Sequence, residues 1–172
     1  SIAAQAGQRV LFIDADMRKG YVHNVFKLSN HQGLSSVLEG DVEWQEAIQR
    51  VEKGGFDVLT SGPQPSHPVE LLMCERFKNM MSEIDKRYDI VIVDTPPVLA
   101  VTDALLVARA AATTLLVARF GKTSVKEIEN CLKRLAQMGV QVNGAILNDI
   151  VKSAALYYNS GYSHYDYGYT RE

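Results

Sequence analysis

Two aspartates, Asp14 and Asp16, stand directly after an apolar run at residues 10–13. If the chain stays extended through residue 16, both carboxylates point to the same side of a strand, at its carboxyl end. Two anions this close need a cation, and Mg²⁺ binds hard oxygen ligands, usually one or two carboxylates together with phosphate oxygens. Arg18 follows and would offset part of the charge. The alternative is an aspartate that ends a strand and only caps the next turn.

A third aspartate, Asp94, ends a second apolar run at residues 90–93, and Pro96 and Pro97 follow it. Prolines cannot donate hydrogen bonds to a β-ladder, so the strand must stop near Asp94 and leave the carboxylate at the rim of a sheet. That position suits a water-mediated contact to Mg²⁺, although an aspartate here can also do no more than begin a turn. Two aspartate-ended strands in one short chain favour a metal site more strongly than either strand alone.

The elements that must position these residues follow from the apolar pattern. Short runs rich in β-branched residues predict strands that helices cover on both faces, and they lie at residues 10–13, 58–59, 90–93, 115–117 and 145–147. Apolar spacings of three and four predict helices over residues 124–138 and 70–84. Ser124 and Glu127 form a capping box at the start of the first helix. The alternation predicts an α/β fold with a mostly parallel sheet, which binds ligands at the carboxyl ends of its strands.

Composition excludes several classes of protein. The 172 residues suit one domain, and 18 basic against 20 acidic residues give a formal charge of −2, so no polybasic surface for nucleic acid is expected. No apolar stretch reaches the roughly 20 residues that cross a bilayer. Cys74 and Cys131 give neither a disulfide framework nor a zinc site, which favours a reducing, cytoplasmic setting. The chain opens at Ser1 without an initiator Met, so we expect it to belong to a longer protein.

Residues 157–172 have no helical or strand period and little aliphatic content. This composition predicts that residues 157–172 form a disordered tail, which follows a domain of residues 1–156. Six of the eight tyrosines lie in this tail: Tyr157, Tyr158, Tyr162, Tyr165, Tyr167 and Tyr169. A tail without fixed structure can present any of several hydroxyls to an active site. The alternative is a low-complexity segment that is only adhesive.

The segment VLFIDADMR, residues 10–18, resembles the Walker A′ motif of the bacterial tyrosine kinases, and IVIVDTPP, residues 90–97, resembles their Walker B motif. These kinases are the cytoplasmic autokinase domains of Wzc-like proteins, which control the chain length and export of capsule and exopolysaccharide. The resemblance extends over nearly the whole chain, including the tyrosine-rich tail. It implies a P-loop NTPase-like fold of the deviant Walker class, shared with MinD and ParA, with helices on both faces of the sheet. The implied reaction transfers the γ-phosphoryl group of ATP, with Mg²⁺, to tyrosine.

The resemblance also implies roles for single residues. Asp14 would assist deprotonation of the attacking tyrosine hydroxyl and help hold Mg²⁺, with Asp16 supporting that site. Asp94 would anchor the waters of the metal, and Arg18 would belong to the nucleotide-binding residues. Asn148 resembles the asparagine that recognises adenine in related ATPases, although an asparagine at a strand end also suits a simple turn.

Tyr21 follows the Walker A′ motif, where relatives carry an internal phosphorylation site that gates the active site. The tail tyrosines would be the other phosphoacceptors. Some relatives place an arginine where this chain has Ser61, so Arg18 or Lys19 would have to receive the phosphate of Tyr21. The alternative is that Tyr21 only packs on the surface.

The Walker A loop, whose lysine reaches the β- and γ-phosphates, should precede Ser1 and is absent from these residues. We therefore expect the 172-residue chain alone to transfer phosphate poorly, because the phosphate cradle supplies most of the catalysis.

The implied setting is the cytoplasmic side of a bacterial inner membrane. The implied partners are neighbouring copies whose tails enter the active site of this chain, a membrane-anchored N-terminal region, the polysaccharide export machinery and a cognate tyrosine phosphatase. Two alternatives stay open: a MinD- or ParA-like ATPase, and a non-catalytic scaffold of the export machinery. The clustered tyrosines argue against the ATPase.

Overall fold

A computed structural model describes residues 2–150. The predicted boundary between a domain and a tail, at residues 156 and 157, lies outside the described residues. The same holds for the six tail tyrosines: Tyr157, Tyr158, Tyr162, Tyr165, Tyr167 and Tyr169.

A four-stranded sheet forms the centre of the molecule, with strand order β2-β3-β1-β4. Its strands are β1 (Val10–Asp14), β2 (Gln49–Val51), β3 (Phe56–Leu59) and β4 (Ile90–Asp94). Strand β1 pairs in parallel with β3 on one side and with β4 on the other, whereas β2 pairs with β3 antiparallel. The predicted parallel strands are therefore confirmed, and the short antiparallel edge strand β2 was not predicted.

Two further strands, β5 (Leu115–Arg119) and β6 (Gly144–Asn148), form a separate parallel pair. Within the described residues this pair shares no ladder with the first sheet. Strand β4 ends the first sheet, and Ile92 on it is 48% exposed. The outer edge of β4 therefore pairs with no other strand within residues 2–150.

Eight helices are described, and their bounds are α1 (Ile2–Gln5), α2 (Val22–Phe26), α3 (Leu34–Glu39), α4 (Trp44–Ala47), α5 (Pro68–Met73), α6 (Glu75–Arg87), α7 (Asp103–Ala110) and α8 (Val125–Gln137). The capping box of α8 is confirmed, with Ser124 and Glu127 bonded reciprocally. The single helix predicted over residues 70–84 is wrong. Cys74 adopts an extended conformation, with ψ 156°, and separates α5 from α6. The apolar stripe runs through both helices and so does not reveal the break.

The hydrophobic core packs against the central strand. Leu11 and Ile13 of β1 are fully buried, together with Leu34 of α3 and with Phe77 and Ile84 of α6. Strand β1 is thereby fixed on both sides, and the residue at its carboxyl end, Asp14, has a fixed position. None of the helices in residues 2–150 is both long and apolar enough to span a bilayer.

Candidate functional site

The two predicted strand-end aspartates lie side by side. Strands β1 and β4 pair in parallel with Asp14 opposite Asp94, and the N–H of Ala15 donates to the carbonyl of Asp94 at 2.8 Å. Neighbouring strands of a sheet are about 4.8 Å apart, so the two residues are direct neighbours at one edge. The expected juxtaposition of the two strand ends is confirmed.

Asp14 is fully buried and closes the loop that follows β1. Its Oδ1 accepts a hydrogen bond from the N–H of Asp16 at 3.1 Å, and its Oδ2 accepts one from the N–H of Val22 at 3.2 Å. Gly20 packs directly over this carboxylate: a Cβ there would collide with Ser61 Oγ and lie 2.7 Å from Asp14 Oδ2. The burial of Asp14 is therefore among backbone amides and polar atoms, and it anchors residues 16–22.

Asp16 keeps one carboxylate oxygen unused. Its Oδ1 accepts hydrogen bonds from the N–H groups of Arg18 at 3.1 Å and Lys19 at 2.9 Å. Its Oδ2 has no hydrogen bond to any residue within 2–150, and the residue is half-buried. Asp94 is more exposed and accepts a hydrogen bond from the N–H of Thr95. Asp16 and Asp94 are thus the two carboxylates with oxygens available to a ligand.

The three aspartates repel one another. Burial raises the pKa of Asp14 above its usual value, the charges of Asp94 and Asp16 raise it further, and the hydrogen bonds from Val22 and Asp16 act in the opposite direction. Loss of hydration raises the pKa of Asp94 as well, and the charge of Asp16 adds to this effect. Clustered carboxylates with raised pKa values at the end of parallel strands are typical of a functional site that takes a cation.

The donor set fits Mg²⁺. No group of three or more His, Cys, Asp or Glu side chains within residues 2–150 has an arrangement that could hold a metal ion by itself. Mg²⁺ does not require one, because it usually binds through one or two carboxylates and completes its shell with waters and phosphate oxygens. Asp16 and Asp94 supply carboxylates of this kind.

Arg18 is engaged by a residue that the sequence analysis did not identify. Its Nε lies 3.0 Å from Oδ1 of Asp103, and its Nη2 lies 3.2 Å from Oδ2. Asp103 is the first residue of α7, and its side chain is only 1% exposed. The one available signal is an aspartate at the start of an apolar helix, which ordinarily indicates only a favourable first turn.

The loop at residues 95–102 connects β4 to α7 and is held from a second side. Arg134 of α8 donates from Nη1 to the carbonyl oxygens of Val98 at 3.1 Å and Leu99 at 3.2 Å. The segment that leaves Asp94 is therefore bonded in its middle by Arg134 and at its end by Arg18.

Asn148 lies at the carboxyl end of β6, opposite Arg119 of β5. Its Oδ1 accepts from the N–H of Asp149 at 2.8 Å, and Asp149 pairs with Arg119 at 2.7 Å. Among the described residues no hydrogen bond joins Asn148 to the aspartates of the first sheet. It occupies the corresponding edge of the second strand pair.

Tyr21 precedes α2 and is 67% exposed, so its hydroxyl is accessible to solvent. Lys19 is exposed, whereas Ser61 is buried beneath Gly20. Ser61 thus packs against the loop that carries Tyr21.

Comparisons with known proteins find several relatives of this chain. A family described as an AAA domain matches residues 1–147. Tyrosine-protein kinase Etk of Escherichia coli K12 is 50% identical over 159 residues, covering 92% of this chain and 22% of Etk. Tyrosine-protein kinase Wzc of Salmonella typhimurium is 45% identical over 167 residues, covering 97% of this chain and 23% of Wzc. The chain therefore spans less than a quarter of the length of these relatives.

Solved structures give the same grouping. The kinase domain of Escherichia coli Etk matches with a TM-score of 0.86 and 49% identity, over 98% of this chain and 63% of that chain. The VpsO kinase domain matches with a TM-score of 0.82 and 30% identity, over 87% of this chain and 74% of that chain. MinD of Aquifex aeolicus, at 24% identity and a TM-score of 0.68, shares the fold. The expected MinD-type α/β fold is confirmed.

Proposed function

The chain belongs to the tyrosine-protein kinases of the Etk and Wzc type, and from that membership we propose that it forms part of the catalytic domain of a bacterial autokinase that phosphorylates tyrosine. The observation that carries this proposal is the register of β1 and β4, which sets Asp14 beside Asp94 with Asp16 adjacent in the chain. A scaffold would have no need of carboxylates that repel one another at a strand end.

The proposed reaction is a phosphoryl transfer. The phenolic oxygen of a tyrosine forms a bond to the γ-phosphorus of ATP, the bond from that phosphorus to the β,γ-bridging oxygen breaks, and ADP leaves. The phenolic proton passes to a carboxylate of the site or to water. Mg²⁺, when bound, supplies charge neutralisation at the β- and γ-phosphate oxygens. We assign the holding of this ion to Asp16 and Asp94, directly or through waters, because their oxygens are available.

Asp14 has contacts that favour an anchoring role. Both of its oxygens already accept backbone hydrogen bonds, and these bonds hold Asp16 in place. Its raised pKa would suit a proton acceptor at the site. Direct contact of Asp14 with the tyrosine hydroxyl or with Mg²⁺ needs residues 16–22 to open and stays a prediction.

The 172 residues contain no glycine-rich Walker A segment that could form the phosphate cradle. We propose that the upstream part of the complete polypeptide supplies the Walker A loop, and that its strand pairs with the outer edge of β4. The vacant edge of β4 and the greater length of the relatives support this. The domain of residues 1–156 would then be completed by that segment.

The remaining roles are proposals for the complete protein. Asn148 would contact adenine, since it ends a strand at the corresponding edge of the second strand pair. Tyr21, which is exposed, and the tail tyrosines would accept phosphate, the latter in the active site of a neighbouring copy. From the family we also propose control of polysaccharide export, a membrane-anchored region and a partner phosphatase.

The test uses the complete polypeptide encoded by the gene that contains this chain. Incubated with ATP and Mg²⁺, the wild type should accumulate phosphotyrosine, read by mass spectrometry, and Asp16→Asn should not. Asp89→Asn, at the opposite edge of the same sheet, is the matched control and should behave like the wild type. ATP hydrolysis without phosphotyrosine would support the MinD-like alternative, and undiminished phosphotyrosine in Asp16→Asn would contradict the assigned site.

A further inference from the structure

One buried charge has no part in the proposed chemistry. The carboxylate of Asp103 is 1% exposed, and its only ion pair among the described residues is with Arg18. A buried carboxylate is strongly unfavourable unless it is paired and hydrogen-bonded. The two parallel hydrogen bonds from the Arg18 guanidinium satisfy both of its oxygens and fix the orientation of the pair.

The positions of Arg18 and Asp103 in the chain determine which two segments the ion pair connects. Arg18 is two residues beyond Asp16, and its N–H donates to the Asp16 carboxylate at 3.1 Å. Asp103 begins α7, at the far end of the loop that starts from Asp94. The ion pair therefore joins the two segments that leave the two neighbouring strand ends.

We propose that Arg18 and Asp103 are a positioning pair, which sets the separation of the ligand-accessible carboxylates of Asp16 and Asp94. This inference rests on the proposed function, because it assigns Arg18 to the geometry of the metal site and no longer to direct nucleotide contact. Arg134 supports the same loop through the carbonyl groups of Val98 and Leu99. With the loop held at both points, a change in the Arg18–Asp103 distance is transmitted to Asp94.

The same sheet offers a matched control. Arg9 precedes β1, Asp89 precedes β4, and they too form a two-point pair, with Nη2 to Oδ1 at 2.7 Å and Nε to Oδ2 at 3.2 Å. This control pair also joins the chain beside β1 to the chain beside β4, but at the edge away from the aspartate site. Its side chains are 60% and 39% exposed. Substitutions here test whether any Arg–Asp tie between these strands has the same effect.

The kinetic experiment compares four variants of the complete polypeptide with the wild type: Arg18→Lys, Asp103→Asn, Arg9→Lys and Asp89→Asn. The readouts are kcat, KM for ATP, and the free Mg²⁺ concentration that gives half-maximal autophosphorylation. Arg18→Lys and Asp103→Asn should raise that Mg²⁺ concentration or lower kcat by ~10- to 100-fold, as is typical for residues that support metal ligands, with a smaller change in KM for ATP. The control variants should stay within about twofold of the wild type.

A length-compensated double variant distinguishes positioning from simple loss of stability. Arg18→Lys with Asp103→Glu shortens one partner and lengthens the other, so it should recover part of the Mg²⁺ response lost in Arg18→Lys alone. Full recovery is not expected, because lysine cannot bind a carboxylate through two parallel N–H groups. Unchanged Mg²⁺ dependence in both single variants, or equal effects in the control pair, would overturn the proposal.

Amide hydrogen exchange on the complete polypeptide without nucleotide provides a readout that needs no kinase activity. Arg18→Lys, at a half-exposed position, should speed exchange in residues 16–20 and 95–102 together, whereas Arg9→Lys should not. If the wild type makes no phosphotyrosine but this coupled exchange is seen, the proposed function fails and the tie between the two segments stands. Faster exchange in residues 16–20 alone would contradict the tie.

Discussion

The two ends of the parallel strands β1 and β4 carry similar residues in opposite electrostatic situations. We call the side of the sheet where these strands begin the amino edge, and the side where they finish the carboxyl edge. At the amino edge Arg9 pairs with Asp89, and the hydrogen bonds from Arg9 lower the pKa of Asp89 to about 2. At the carboxyl edge burial and mutual repulsion raise the pKa values of Asp14 and Asp94. Asp89 is paired with Arg9, whereas Asp14, Asp16 and Asp94 form no ion pair with any residue within 2–150. A ligand site is recognised here by charge that the fold leaves uncompensated.

Cavity size alone does not make this distinction. A groove of about 670 Å³ lies at the amino edge, lined by Arg9, Trp44, Arg50 and Tyr88 among others. Several of its polar groups have partners: Arg50 and Tyr88 both bond to Asp57 at 2.9 Å, and Arg87 lies over the ring of Trp44. The groove shows no carboxylate cluster comparable to the carboxyl edge, so the comparison of charges is the more informative one.

The largest expected effect comes from removing a charge at the carboxyl edge. Asp94→Asn in the complete polypeptide should lower autophosphorylation on the order of 100-fold or more, because electrostatic stabilisation of phosphoryl transfer is lost. Phosphate incorporation at fixed ATP measures it. Asp89→Asn removes a charge from the other end of the same strand region and should leave the rate unchanged; equal losses would remove the contrast between the edges.

A steric test of the carboxyl edge comes next. Gly20→Ala should destabilise the fold by about 1–3 kcal/mol, because the new methyl group must displace the Asp14 carboxylate or Ser61 in a packed site. Gly144→Ala is the control, since a Cβ there meets only the end of the Leu115 side chain, at 3.2 Å. Urea unfolding of both variants compares them. A loss no larger for Gly20→Ala than for Gly144→Ala would show that residues 16–22 relax easily.

At the amino edge a polar deletion should affect stability alone. Tyr88→Phe removes the hydrogen bond to Asp57 and should lower the free energy of unfolding by about 1 kcal/mol. The Mg²⁺ dependence of autophosphorylation should not change. Burial and this hydrogen bond raise the pKa of Tyr88 to about 12, so the group stays protonated in the neutral range. A change in the Mg²⁺ dependence of Tyr88→Phe would show that the amino edge influences the carboxyl edge, and we expect no such influence.

The smallest effects are the opposite pH responses of the two edges. A raised folded-state pKa favours the protonated form, so ionised Asp94 opposes folding at neutral pH. Asp94→Asn should therefore raise Tm at pH 7, and the gain should fade as the pH falls through the raised pKa of Asp94 towards about 4, the ordinary value for an aspartate. The pKa of Asp89 is lowered, so its ionised form stabilises the fold above about pH 4. This contribution is lost as the pH falls through about 2. Asp89→Asn should lower Tm at pH 7. Thermal melts of both variants between about pH 2 and pH 7 measure these changes. Changes in Tm of the same sign for Asp94→Asn and Asp89→Asn would show that the two edges do not differ in this way.

Local pattern predicted the features that a few neighbouring residues determine. The strand ends at Asp14 and Asp94 and the capping box of α8 depend on apolar runs, prolines and a Ser–Glu spacing, and the structure confirms them. The break at Cys74 was not predicted because the apolar stripe continues across it. The role of Asp103 was not predicted because its partner, Arg18, is 85 residues away in the chain. A contact between residues so far apart leaves no periodic signal in the sequence.

We propose that Asp16 and Asp94 share one divalent cation at the carboxyl edge of β1 and β4. Crystals of the complete kinase domain grown with Mn²⁺ and a non-hydrolysable ATP analogue test it through anomalous diffraction. We expect a peak between these two carboxylates, within direct or one-water reach of both, and its loss in Asp94→Asn. A nucleotide bound with its metal away from both carboxylates would contradict the claim.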